Sequence, residues 1–515
     1  MEFNEHRPKG YVRKGDRYLP QVIIDLQQVF KRAQDSLTYD TLYLPDEELA
    51  ELASVLVEFA EDIHNDIGIW ESLEQYNTEY FGTPLPFGEN KQDGEQNSID
   101  ERRIQHLLWV LYSELNPKLI LSPTHRDLKQ LSKTAADFLK NRFSRIPKGS
   151  SVKLFLSQPN KFGWDVKKKL IWMGTHSYLF RNSFRNYVED LDDAPEIPVI
   201  DDYVCQETTS WSGLGVIDIL ASVLDISHEQ RSDLRSWYER HQAYYQILAN
   251  KGNESTVTNI INNESYSVKI DALENPFSEG DIVLGGLIPW DGMWYWSGVQ
   301  YDLGNLTEEV LQETKNTFVQ NSPLLTYRYC RSEFEKAREA NDRQYQEYLN
   351  YYGDDLVIYP DGLAMAADHQ KRFHLQWKSK PEEAVKTTMD KYKLKQPQPN
   401  MPIPRNYLES ENGIGVYYNP DEGLEIMTGF NAIISGFKKK GKDLSEEEED
   451  CIRSFIWSDM VSPKFVRRLI KEYGSASIVA VFLIQGDHDE FHIDYLLRRY
   501  KGFYYRKRYP HITIV

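Results

Sequence analysis

The sequence predicts an α+β fold, mainly helical and built in several segments around a small central β-barrel-like module. Three patterns carry that expectation. Apolar residues recur at helical spacing behind start signals from residue 21 to about 145. The centre of the chain then breaks into five short runs rich in β-branched and aromatic residues, separated by Gly, Asn and Asp. Beyond them helical patterning returns, interrupted by a few strand-length runs.

In chain order, residues 1–20 read as a polar basic arm without the apolar core of a signal peptide. Residues 21–150 form an N-terminal helical region. Pro45-Asp46-Glu47-Glu48 opens a helix over Leu49 to Ile69, Asp100-Glu101 precedes Ile104 to Leu115, and Ser122-Pro123-Thr124 caps Leu128 to Phe143. The stretch Gly82 to Ser98, rich in Gly, Asn and Gln, reads as a loop. Residues 151–240 read as a mixed α/β region with a Pro/Asp-rich connector from Glu189 to Asp202. It ends in a helix from His228 to Tyr244 that carries Leu234, Trp237 and Tyr238 on one face.

The β module occupies residues 241–303. Tyr245 to Leu248, Thr256 to Ile261 and Tyr266 to Ile270 are three short strands, and a hairpin follows. In the hairpin Ile282, Leu284, Leu287 and Ile288 lead to Asp291-Gly292, which supplies the left-handed position a tight turn needs, and Trp294 and Trp296 alternate on the return. Five strands in so short a stretch suggest a small barrel. Trp290, Trp294 and Trp296 are expected in the module core, with ligand stacking the rarer role for such rings.

Residues 304–355 form a helical connector, with helices over Thr307 to Phe318 and Leu325 to Tyr352. The C-terminal α+β region, 356–515, combines Leu356 to Tyr359, Gly362 to Trp377 and Gly415 to Met427 with a Pro-rich linker at 396–404. Glu446 to Glu449 suit the first turn of a helix, and helices follow over Ser462 to Tyr473 and Asp489 to Tyr500, before a basic aromatic tail.

Several of these motifs resemble known families. The module runs from a helix ending near Arg240-His241 through Asn-rich turns to a Gly-Asp-(apolar)3 start, a proline, an Asp-Gly turn and a Trp-Tyr-Trp-Ser-Gly finish. That order resembles the small β module of bacterial proteins carrying a SEC-C zinc motif. The zinc motif itself is absent, because it needs clustered cysteines and Cys205, Cys330 and Cys451 lie far apart. The whole chain also resembles a bacterial family of uncharacterised proteins of similar length, through Trp211-Ser212-Gly213-Leu214-Gly215, Tyr359-Pro360-Asp361-Gly362 and the basic aromatic end from Arg498 to Pro510. What the resemblance implies is an architecture and a bacterial origin, with no activity attached.

Composition bounds the function. The chain has 515 residues, 40% of them apolar, which is ample for folded cores. A net charge of −19 opposes non-specific attachment to nucleic acid or anionic lipid, so a polyanion partner requires a local basic patch. Three unclustered cysteines point to a reducing compartment, and no run approaches the roughly 18 apolar residues of a membrane span. The expected location is the cytoplasm, with no membrane partner.

Two places could carry chemistry. His488 and His492 stand four apart on a helix and could share a metal, with His511 as the one later histidine, in a metal-dependent hydrolase. The zinc-protease pattern places Glu directly after the first His, where this chain has Asp489. The other place is the tail, where residues 498–515 hold six Lys or Arg and no acid. If extended, it offers Lys501, Phe503, Tyr505, Arg506, Lys507, Arg508 and Tyr509 as a platform for stacking bases and pairing phosphates. The competing role for the tail is a closing strand whose cations pair with the protein's own acids. Lys167-Lys168-Lys169, Lys391 to Lys395 and Lys438 to Lys442 read as solvated faces. Gly213-Leu214-Gly215 and Gly413-Ile414-Gly415 do not extend to a dinucleotide fingerprint, and neither a P-loop nor a G-x-S-x-G elbow occurs. No cofactor and no catalytic residue is therefore assigned. The expected function is a non-enzymatic binding or interaction protein for a macromolecule, with nucleic acid or protein as the partner; the alternatives are the hydrolase and a purely structural role.

Overall fold

The computed structural model describes residues 3–35, 37, 42–86, 98–116, 119–191, 194–209, 211–270, 275–392, 403–484, 489–510 and 512. The chain divides into two compact units. One comprises Met1–Cys330 with Phe482–Arg508, the other Arg331–Val481 with Tyr509–Val515. Helix dominates, and two antiparallel-rich sheets complete an α+β protein.

In the first unit the helices Leu19–Gln34, Asp46–Asn65, Ile69–Phe81, Glu101–Leu115 and Arg126–Phe143 bury Leu26, Phe59, Trp70, Leu108 and Leu139 in a common core. Their starts follow local chemistry. The Asp100 side chain accepts from the Arg103 N–H, and Asp46, Glu47 and Glu48 fill the positive first turn of their helix. The helix expected to run on to Ile69 is instead two helices. At Asp66 (φ 51°) and Gly68 (φ 98°) the backbone turns left-handed, and the buried Asp62 carboxylate accepts the N–H groups of Gly68, Ile69 and Trp70, capping the second. His125, rather than Ser122, occupies the N-cap before Arg126.

The N-terminal arm is docked rather than free. The Arg7 guanidinium is buried and donates to Glu61 at 2.7 and 2.5 Å and to Asp16 at 2.6 Å, a charge held by two carboxylates. Between 151 and 240 the described elements are helical, where the sequence suggests mixed α/β: Ser151–Leu156, Gly163–His176, Arg181–Asp190, Ile197–Gln206, Val216–Val223 and His228–Ser236. The helix expected to begin within Gly213 to Leu224 is Val216–Val223, which buries Val216, Ile217, Ile219 and Leu220. The helix expected to reach Tyr244 stops at Ser236. A 3-10 turn, Trp237–Glu239, and a left-handed Arg240 (φ 33°) redirect the chain into extended structure at His241.

Five strands follow: β1 His241–Lys251, β2 Glu254–Asn259, β3 Ser265–Lys269, β4 Ile282–Trp290 and β5 Met293–Asp302. They pair in the order β1-β2-β3-β5-β4, and β4 pairs back onto β1, so the sheet closes on itself. The β3–β5 pairing is parallel, with Lys269 opposite Tyr295. Asp291 (φ 53°) and Gly292 (φ 78°) form the two-residue turn joining β4 to β5, both residues left-handed as a type I′ turn demands. Ala243, Tyr245, Ile247, Val257, Val268, Val283 and Leu287 fill one core, with Trp294 and Trp296 half-buried against it. Trp290 and Tyr295 face the helices instead, and Trp290 donates its indole N–H to the Asn160 carbonyl at 3.0 Å. The three tryptophans thus serve two cores rather than one.

The helices Glu308–Asn321, Pro323–Tyr329 and Asp489–Lys501 also belong to the first unit, the last followed by a 3-10 turn, Gly502–Tyr505. The second unit holds the helix Arg331–Tyr352 and a sheet of β6 Leu356–Tyr359, β7 Ile414–Asn419 and β8 Gly423–Thr428, ordered β6-β7-β8. Buried Tyr348 ties helix to sheet by donating to the Val416 carbonyl at 3.0 Å. Ser445 and Glu448 cap the acidic-fronted helix Glu446–Trp457 reciprocally, and Ser462 caps Pro463–Tyr473. Of the Pro-rich stretch, residues 396–402 lie outside the described residues, as do 87–97 of the expected loop and Lys393 to Lys395 of the basic run. Among the described residues no helix is long and apolar enough to cross a membrane.

Candidate functional site

The basic tail meets the N-terminal helices in a cleft of about 370 Å³ within the first unit. One wall is the helix Ile69–Phe81. It presents Tyr76 and Tyr80 one turn apart, with ring centroids 4.6 Å from each other. The second is the loop before Val216–Val223, whose Ser212 (φ 58°) and Gly213 (φ 71°) are both left-handed. A Cβ on Gly213 would lie 2.1 Å from the Arg498 carbonyl oxygen, so glycine is required for this loop to dock on the C-terminal helix. Asp218 follows in the first turn of Val216–Val223 and accepts the Gly215 N–H at 2.6 Å.

The end of the chain forms the third wall. Arg498 donates to Asp494 at 2.9 Å, and its guanidinium lies 4.2 Å from the Tyr80 ring centroid and 4.4 Å from that of Tyr505. Arg506 donates to the Gln206 carbonyl at 3.0 Å and stands 3.6 Å from Asp218. Arg235, Tyr238, Glu79 and Lys507 complete the lining that matters electrically. Four cations therefore face two carboxylates, and Arg235 and Lys507 are exposed at the rim. Burial, reinforced by Asp218, pushes the Tyr76 phenol above its ordinary range, and burial with Glu79 does the same for Tyr80. Both hydroxyls stay protonated at neutral pH and can donate.

Of the tail residues read from the sequence, Tyr505, Arg506 and Lys507 line this cleft. The others are dispersed. Lys501 is buried, Phe503 is exposed with Arg508 stacked 4.4 Å over its ring, and Tyr509 packs edge-on against Phe334 at 5.5 Å in the second unit. The tail is not the extended platform that alternation suggests. Gly502 sits so close to Thr208 and Gly213 that a Cβ would approach within 2.8–2.9 Å, and the chain turns there as a 3-10 helix. Tyr76, Tyr80, Arg235 and Tyr238 join the site without having been read as site residues, and Arg498 joins it from the start of the basic tail. The aromatic i,i+4 pair was visible in the sequence, but nothing local indicates that it meets the tail.

His492 is buried in the helix Asp489–Lys501, while His488 and His511 lie outside the described residues. Among the described residues no three His, Cys, Asp or Glu side chains gather to hold a metal ion. Two lysines expected in solvent are drawn inward instead, Lys169 buried and Lys167 half-buried. Lys167 pairs with Asp201 and donates to Ser297 at 3.0 Å and Cys205 at 3.1 Å. Lys169 donates to the Leu156 carbonyl at 3.0 Å and to Asn160 at 2.6 Å, where the carbonyl end of Ser151–Leu156 carries partial negative charge. Their long apolar stems cross the core while each ammonium finds oxygen or sulfur partners.

No curated protein and no solved structure matches the chain. Residues 31–204, which include Tyr76 and Tyr80, match a family model described as a protein of unknown function (DUF3843).

Proposed function

We propose that the protein is a binding protein for single-stranded nucleic acid, which it contacts through the cleft between Tyr76, Tyr80 and the tail. The observation that carries this reading is the convergence of Tyr76, Tyr80, Tyr238 and Tyr505 with Arg235, Arg498, Arg506 and Lys507 in an otherwise acidic chain. Rings offer faces to a base of any sequence, and the cations answer phosphates. The volume suits one nucleotide unit turned into the cleft, with the adjoining backbone passing Arg235 and Lys507 at the rim. Arg498 and Arg506 are engaged by Asp494 and Asp218, so their role is to hold the rings and shape the floor, while the rim pair supplies the charge for the ligand.

Titration of a short single-stranded RNA at several salt concentrations tests this. Replacing Arg235 and Lys507 together by glutamine should weaken binding and lower the salt slope by about 1.4, since each phosphate contact on a single strand contributes about 0.7. Tyr80→Ala should cost about 1–3 kcal/mol while leaving the slope unchanged. Absence of binding at low salt would leave the tail's cations as internal charge compensation and favour a protein-interaction role.

A further inference from the structure

A second cleft, of about 270 Å³, opens where the helix Gly163–His176 packs on β4 and β5. It shares no lining residue with the first. Four rings form its walls. Trp164 meets Tyr295 edge-on with centroids 5.2 Å apart, and Phe277 meets Trp296 at 5.8 Å. Gly163 permits this closeness, because a Cβ there would lie 2.6 Å from the Tyr295 ring. Ile270, Pro276 and Ile288 add apolar surface, so the cavity suits a flat, apolar body.

The polar groups are few. Lys167 lines the cleft, but its charge is met by Asp201. Lys269 is the second ammonium. The parallel β3–β5 register sets it beside Tyr295, its Nζ lies 5.2 Å from the Phe162 ring centroid, and the Glu254 carboxylate stands off at 3.9 Å and is half exposed. The Gln300 amide also lines the cleft and donates to the Gly298 carbonyl at 2.6 Å. Among the described lining residues there is no Asp or Glu. A half-buried ammonium beside aromatic walls, met only by a half-exposed carboxylate at 3.9 Å, calls for a ligand that brings its own acceptor oxygens.

We propose that this cleft binds a small aromatic carboxylate of one or two rings, its ring against Trp164, Tyr295 and Phe277 and its carboxylate taken by Lys269. The size of the cavity sets the upper limit, since about 270 Å³ lies near the lower end of ligand pockets. The site is distinct from the nucleic-acid cleft and stands whether or not that reading holds.

The probes are benzoate, 2-naphthoate, benzyl alcohol and benzylamine, titrated into the full chain and followed by tryptophan fluorescence and saturation-transfer NMR. Benzoate or 2-naphthoate should bind, with benzyl alcohol and benzylamine at least about tenfold weaker because they lack the charge-assisted contact. Lys269→Met should weaken the carboxylates by about tenfold and leave benzyl alcohol unchanged. Lys269 is partly exposed and supports no core, and circular dichroism of the variant checks its fold. The Arg235/Lys507 double variant should bind the carboxylates as the parent does. No carboxylate binding, equal affinity for benzylamine, or a Lys269→Met variant identical to the parent would each overturn the proposal.

Discussion

His106 lies among Trp70, Trp109 and Trp211, its Nε2 buried without a hydrogen-bond partner. Burial, reinforced by the Arg499 charge, pulls its pKa down to about 3. The folded ring is therefore neutral, while the unfolded ring takes a proton near pH 6.5. The contribution to stability is complete above about pH 6.5 and is lost as the pH falls toward about 3, at about 1.4 kcal/mol per pH unit. His6 and His241, drawn by burial to about 4, act in the same direction, and Asp62, raised by burial to about 6, acts against them. Comparing His106→Phe with the parent isolates one ring. Denaturant unfolding at pH 7, 6 and 5 should give the variant a shallower loss of stability, the difference approaching about 1.4 kcal/mol per pH unit below pH 6. Identical slopes would mean that the ring is protonated in the folded protein. Burial of this kind is hard to read from a sequence. Lys167 and Lys169 look like a solvated run because their partners, Asp201 and the Leu156 carbonyl, are supplied by other helices.

Elements whose boundary is chemical were legible; those whose boundary is tertiary were not. The β4–β5 hairpin could be read because Asp291-Gly292 satisfies the turn from within, and the cap at Asp100 because its acceptor lies three residues from its donor. The break between Asn65 and Ile69 could not, since apolar spacing continues across it and the Asp62 cap reveals itself only in the folded turn. Strand alternation likewise did not show which side of the sheet meets helices. Trp290 is fully buried and crosses Trp237 edge-on at 6.1 Å, whereas Trp294 is half-buried. Trp290→Ala should cost about 3–5 kcal/mol, and Trp294→Ala distinctly less. Urea midpoints of the two variants decide it, and equal losses would place both rings in equivalent packing.

At the scale of the molecule, the candidate cleft draws on the helix Ile69–Phe81, the loop at Gly213 and the last turn of the chain. Sequence reading reached the tail because charge composition is a local property, and missed Tyr76, Tyr80 and Arg235 because their meeting with it is set by topology. The same topology assigns Phe482–Arg508 to the unit begun by Met1–Cys330. Tyr495 packs on Phe81 at 5.4 Å and on Trp109 at 6.0 Å, and Arg499 lies 4.9 Å from the Trp109 ring centroid. A chain ended at Val481 should leave those rings uncovered, so that limited proteolysis cuts within residues 1–330 faster than in the full chain. A peptide of residues 482–508 supplied in trans should restore resistance, and a truncated chain as resistant as the full one would show the helix to be dispensable. During synthesis the ribosome releases the first 330 residues long before their last helix emerges. At about 5–20 residues per second the unfinished unit waits tens of seconds or less with an aromatic face uncovered. Completion of the first unit is thus timed by translation of the second, and a message cut short anywhere between them yields a product in which Phe81 and Trp109 lack their cover by Tyr495 and Arg499.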